Sequence, residues 1–297
     1  MGAGSIYRSD AARVAIEELY ARARDQLPFP TESRMVPTRF GETHVLVAGP
    51  PDGPPLVALQ GGNVVNPLTL AWLGPLVATC RVYAPDTIGQ PGKTQGPRRS
   101  ANDSSLGDWV VDVLDALHLP SAAFIGASYG AGVFLRLASV APKRIDRAVL
   151  VVPAGMTAVP VRSMLSLAAG YLSYRVLRRP GIAAATVRQL AGPEPDPLMI
   201  ESTALAFAGT QLDTEMPRTA TPEELAGLTA PVMVFAAERD PLFPPGRVIP
   251  RARELFSNLV AAETLSGCHH ILDPACADAL CARIEPFLDG GARAARG

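Results

Sequence analysis

Ser121-Ala122-Ala123-Phe124-Ile125-Gly126-Ala127-Ser128-Tyr129-Gly130-Ala131-Gly132 is a short apolar run that breaks into glycines around one serine. It reads as a strand, a sharp turn and then a helix over Tyr129 to Val140. Lifting a hydroxyl out of a strand-to-helix bend forces the serine into a strained backbone conformation, and flanking residues without Cβ relieve the crowding. Gly126 and Gly130 supply that relief. The helix directs its first amides at the place where negative charge would develop on a substrate. Ser128 is therefore a candidate nucleophile. In a chain with 26 glycines the bare G-x-S-x-G pattern is weak, and a glycine-rich turn with an idle serine is the competing reading.

With 297 residues and 48% hydrophobic composition, the chain can bury a substantial core as one large α/β domain or two small ones. Global disorder is excluded. The formal net charge of -1 gives no electrostatic reason to expect a polyanionic partner or an anionic membrane surface, so neither nucleic acid nor membrane is expected. The most apolar helical stretch, Met164 to Leu172, is too short to span a bilayer and runs into Arg175, Arg178 and Arg179. Cys80, Cys268, Cys276 and Cys281 lack a C-x-x-C spacing, and the start of the chain, Met1 to Arg8, lacks an apolar signal core. Reduced thiols in a cytoplasm are the expectation.

Taken with its strand and helix, the Ser128 segment resembles the nucleophile elbow of the α/β-hydrolase superfamily. The resemblance implies an α/β fold with a mostly parallel central sheet, flanking helices and a helical cap. Around the elbow the chain alternates accordingly. Ser9 or Asp10 caps a first helix to about Asp25, which reads as a packing appendage. Arg34 to Phe40 and Thr43 to Ala48 read as a hairpin at a sheet edge. Leu56-Val57-Ala58-Leu59 has the all-apolar character of a strand buried on both faces. Gln60-Gly61-Gly62 follows it and resembles the family's His-Gly-x loop, with Gln60 in the histidine's place. That match implies the amides of Gly62 and Tyr129 as the oxyanion hole. A helix over about 67–78 leads to the strand Arg81 to Asp86, where Asp86 reads as a turn anchor. His118, in the last turn of a helix starting near Asp103 or Ser104, reads as a packing or dipole residue.

Ile145 to Val152 is a sixth strand candidate, and no carboxylate follows it, which closes one position the family uses for its acid. From 156 to 228 the alternation stops and helices appear over Val161 to Arg179, Ile182 to Leu190, Pro197 to Gly209 and Pro222 to Leu228. This resembles the family's cap, so the expected core is 1–155 with 229–297 and the cap 156–228, inserted after the sixth strand. Met164, Leu165, Leu172, Tyr171 and Tyr174 can line a substrate pocket or form the cap's own core. Pro231 to Ala237 resumes the strands. Asp240 lies just past this strand's carboxyl end, where open α/β sheets place their sites. It resembles the family's acid, with Glu238 the alternative. Beyond the last strand, Leu259 to Leu265, Ser266-Gly267-Cys268-His269-His270 resembles the family's G-x-G-H and favours His270 over His269 as the base. A helix from Pro274 to Leu288 closes the fold, with a frayed tail from Gly290.

The order Ser128, Asp240, His270, each after a strand, is the order of this fold. The resemblance implies a serine hydrolase acting on an ester, thioester or lactone of a small hydrophobic substrate, with no cofactor and no metal. Carbon-carbon hydrolysis, lyase, acyl-transfer or cyclisation chemistry on the same triad stays open, as does a ligand-binding receptor or a homodimer. An aspartate-nucleophile dehalogenase is disfavoured, because the elbow carries serine.

Overall fold

The computed structural model describes residues 5–294. Its centre is an eight-stranded sheet in the order β1-β2-β4-β3-β5-β6-β7-β8. The strands are β1 (Glu32–Thr38), β2 (Gly41–Ala48), β3 (Pro55–Leu59), β4 (Arg81–Pro85), β5 (Ala122–Ala127), β6 (Ile145–Val151), β7 (Val232–Ala237) and β8 (Leu259–Leu265). The hairpin β1–β2 and the β2–β4 pair are antiparallel, and every other pairing is parallel. Edge strand β1 keeps four of its first residues exposed and carries Pro37, features that discourage pairing with a further strand.

Side chains alternate across the sheet and build one apolar core on each face. In β3, Leu56 and Ala58 enter the core formed with α1 (Asp10–Asp25) and α9 (Pro274–Ala294), while Val57 and Leu59 enter the other. That second core holds α3 (Ser105–Ala116), α4 (Tyr129–Val140) and α8 (Pro245–Leu255). Covered on both faces, β3, β5, β6 and β7 are apolar almost throughout. The first helix starts where Ser9 Oγ accepts the Ala12 amide at 3.1 Å, and it buries Ile16, Leu19, Tyr20 and Ala23.

Between β6 and β7 lie α5 (Val161–Leu177), α6 (Pro180–Ala191) and α7 (Pro197–Gly209). The fourth expected helix, Pro222 to Leu228, forms turns instead. The expected helix over 67–78 divides into α2 (Asn66–Leu70) and a 3-10 helix, Ala71–Ala78, with Pro75 inside the latter. The tail expected to fray from Gly290 continues as helix to Ala294; 1–4 and 295–297 lie outside the described residues.

The expectation of four reduced thiols is corrected at two positions. Cys268 and Cys276 are joined in a disulfide, while Cys80 and Cys281 are free and buried. The turn from β8 into α9 folds back on itself and brings the two Cα atoms within 5.9 Å, a proximity that their separation of eight residues does not advertise.

Candidate active site

Ser128 sits between β5 and α4 with φ 49° and ψ -113°, a region that residues with a Cβ enter only under strain. Three backbone hydrogen bonds hold it there. Its amide donates to Val151 O at 2.9 Å, and its carbonyl accepts the amides of Ala131 and Ala154 at 3.0 and 3.1 Å. The neighbouring glycines serve close approach. A Cβ on Gly130 would lie 2.1 Å from Leu59 O, and one on Gly126 2.8 Å from the Ala131 Cα. The helix can therefore press onto β3 and β5 and still project the serine hydroxyl.

His270, in the loop after β8, reaches that hydroxyl. Its Nε2 lies 3.0 Å from Ser128 Oγ and its Nδ1 2.8 Å from Asp240 Oδ2. Asp240, one turn past β7, accepts the Leu242 and Phe243 amides on Oδ1 at 2.7 and 3.1 Å. Burial pushes the Asp240 carboxyl up, but the His270 ring and those two amides outweigh it and hold the group below its ordinary range. It is poised as an anion behind the ring. The other two candidates point elsewhere. His269 lies against Gly192, where an added Cβ would meet its ring at 2.7 Å, and Glu238 accepts the Gly267 amide at 2.6 Å. The disulfide Cys268–Cys276 encloses both histidines in one short loop.

Gly62 and Tyr129 lie side by side, with the Cβ position of Gly62 3.1 Å from the Tyr129 Cβ. Neither amide donates to a protein acceptor among the described residues. The loop holding Gly62 is shaped by Gln60, which is fully buried. Its side-chain amide donates to Val64 O at 2.8 Å and its oxygen accepts the Thr87 amide at 3.1 Å. One glutamine thus fastens the loop after β3 to the loop after β4. Asp86 anchors that second loop, accepting the Tyr20 hydroxyl, Asn66 Nδ2 and the Lys93 amide.

One part of the surroundings has no signature in the sequence. Asp213, in the irregular stretch after α7, accepts the Tyr129 hydroxyl and Gln90 Nε2, both at 2.9 Å. Its backbone exchanges two hydrogen bonds of 3.0 Å with the Asn63 side chain. Burial raises its carboxyl, with Arg98 opposing. The stretch matches no motif and no period, so only the fold brings it to the Gly62 loop.

The five side chains considered for a substrate pocket lie apart from this cluster of contacts, Leu172 among them being exposed on α5. Tyr171 and Tyr174 meet Phe207 edge-on, at ring-centroid distances of 5.3 and 5.8 Å, and so belong to the insertion's own small core. Met164 and Leu165 are exposed on α5. A cleft of about 1120 Å³, lined by Phe29, Leu68, Trp72, Met199, Ile271 and Leu272 among others, opens beside the His270 loop; Ser128 is not in its wall. Among the described residues no group of three His, Cys, Asp or Glu side chains is placed to hold a metal ion. Among the described residues no helix is long and apolar enough to cross a membrane.

An open, mostly parallel sheet with a strained serine at the β5–α4 turn, facing a histidine backed by an aspartate, defines a class. The chain belongs to the alpha/beta hydrolase family, whose pattern matches residues 57–283. Among individual proteins it is similar to carboxylesterase YbfK of Bacillus subtilis, 25% identical over 287 residues that cover 92% of this chain and 93% of that one. The crystal structure of that carboxylesterase superposes with a TM-score of 0.82 at 23% identity, covering 94% of this chain and 99% of the other. Naproxen esterase of the same organism gives 0.81 at 23% identity, covering 94% and 98%.

Proposed function

We propose that this protein is a serine hydrolase that cleaves an ester, thioester or lactone of a small hydrophobic substrate. The reading is carried by the continuous line of hydrogen bonds from the Asp240 carboxylate through the His270 ring to the Ser128 hydroxyl. Kinship with the carboxylesterase YbfK supports it.

Asp240 accepts from Nδ1–H, which leaves Nε2 as the nitrogen able to take the Ser128 proton. The freed oxygen attacks the acyl carbon, and the carbonyl oxygen gains its charge beside the amides of Gly62 and Tyr129. Each such donor contributes about 3 kcal/mol to the transition state. His270 then protonates the departing alcohol or thiol, and in the second half deprotonates the water that releases the acyl group. Residues 156–228 act as the cap that shapes the acyl and alcohol sites. A cytoplasmic enzyme would hold Cys268 and Cys276 as thiols, and their disulfide favours an oxidising compartment instead.

Turnover of nitrophenyl acetate tests the proposal. Ser128→Ala and His270→Ala are each expected to lower kcat at least about a thousandfold, with a native circular dichroism spectrum. His269→Ala is expected to keep most of the wild-type rate. Full activity in the Ser128 variant refutes the acyl-enzyme, and an inactive His269 variant beside an active His270 one reassigns the base.

A further inference from the structure

α5 packs Leu167 and Tyr174 inward but leaves a second apolar stripe uncovered, unlike an ordinary surface helix, whose outer side is polar. Val161, Leu165, Ala168, Leu172 and Val176 follow the spacing i, i+4, i+7, i+11, i+15 and therefore share one side. Of these, Val161 is 71% exposed, Leu165 65%, Leu172 61% and Val176 80%. Ser163 and Tyr174 are the buried residues of this helix. Gly170 rides so close to α6 that a Cβ there would come 2.4 Å from Thr186 Oγ1. The outcome is an uncovered apolar ridge about 25 Å long.

The charge around this ridge has one sign. Between Met156 and Pro193 the chain carries Arg162, Arg175, Arg178, Arg179 and Arg188, and no Asp or Glu. Among the described residues none of the five is in an ion pair, whereas arginines elsewhere are, as in Arg39 with Asp112 and Arg283 with Glu263. Arg175 donates to Ala208 O at 3.2 Å, and the other four are exposed. The formal net charge of -1 for the whole chain conceals this segregation.

We propose that α5 and the arginine-rich turn after it dock on the surface of an anionic phospholipid bilayer. The apolar ridge enters the boundary between headgroups and acyl chains, and the guanidinium groups meet lipid phosphates. Charge decides between this partner and a second copy of the chain. Packing two such ridges together sets five cations against five, with no acid in the segment to pair them. The insertion that carries the ridge is tied to the candidate site by its inner side. Ser163 Oγ, on the buried side of α5, donates to Pro241 O at 2.6 Å, one residue from Asp240, and Leu190 O in α6 accepts the Ile271 amide at 2.8 Å, one residue from His270. Docking would set at the lipid surface the insertion whose inner side touches the loops of Asp240 and His270, and it does not depend on the reaction proposed above.

Flotation of the full chain with vesicles tests the proposal, using phosphatidylcholine alone or mixed with about one-third phosphatidylglycerol. Binding to the anionic vesicles is expected to be at least about tenfold tighter and to fall away in about 0.5 M salt. Val161→Asp combined with Val176→Asp, and separately Arg178→Glu combined with Arg179→Glu, are expected to abolish it while the thermal midpoint stays at the wild-type value. Both pairs lie at exposed positions, so the native fold can be checked independently of binding. Equal partition between the two vesicle types overturns the proposal, as does anionic binding that survives both pairs of substitutions. Sedimentation showing a dimer that the Val161/Val176 pair dissociates also overturns it, in favour of a second copy.

Discussion

Ser128 and Asp240 each carry a measurable signature of their surroundings. The positive φ of Ser128 is compatible with glycine, whereas alanine keeps the Cβ that makes it costly. Ser128→Gly is therefore expected to lose turnover and yet to be about 1 kcal/mol more stable than Ser128→Ala in denaturant unfolding. Equal stabilities would mean that the elbow stores no strain. Asp240 is held below its ordinary value, so its ionised form stabilises the fold. That contribution is complete above the unfolded carboxyl value of about 4 and is lost as pH falls through the lower folded value. The gap in thermal midpoint between wild type and Asp240→Asn should accordingly narrow as pH is lowered from about 5 to about 3. A gap that stays constant or widens would contradict an anionic Asp240 in the native state. Both residues were legible as candidates because they follow strands, where a side chain at the carboxyl end has nowhere to go but the rim of the sheet.

The loops between strands decide whether these residues meet. In the loop after β3 a glutamine stands where the family's motif has histidine, and it fastens the loop by its own bonds. Gln60 spans from Val64 to Thr87 with one donor and one acceptor, so the amide of Gly62 is fixed without a histidine. The loop after β8 was legible as the bearer of a candidate base, but its cross-link was not. Spacing in sequence says nothing about two cysteines until the turn into α9 places them face to face. Closing a loop of this size restricts the unfolded chain, and Cys276→Ser is expected to cost about 2 kcal/mol in denaturant unfolding. A reducing agent should destabilise the wild type by a similar amount and leave the variant unchanged. Equal responses of the two proteins would show that the cross-link contributes nothing.

Across the whole molecule, the first helix proves to be more than an appendage. Tyr20 bonds Asp86 beneath the loop after β4, Arg22 pairs with Glu201, and Gly209 lies so close that a Cβ would come 2.7 Å from Ala12 Cβ. Deleting residues through Leu27 strips the cover from the sheet and severs α7 from the core in one step. The truncated chain is expected to aggregate or to melt at least about 10 °C lower, and unchanged melting would return α1 to a decorative role. The sequence by itself determined the strand order along the chain, the elbow and its serine, and the places after β7 and β8 where an acid and a base could stand. It did so because period, glycine placement and strand ends are local properties of a polypeptide. Only the tertiary structure set His270 between Asp240 and Ser128 with His269 against Gly192, and brought Asp213 to Tyr129. It also bonded Cys268 to Cys276 and left an apolar stripe of α5 exposed beside arginines that form no ion pair among the described residues. Each of those outcomes depends on which surfaces meet across long stretches of chain, and distance in space is not written in distance along it.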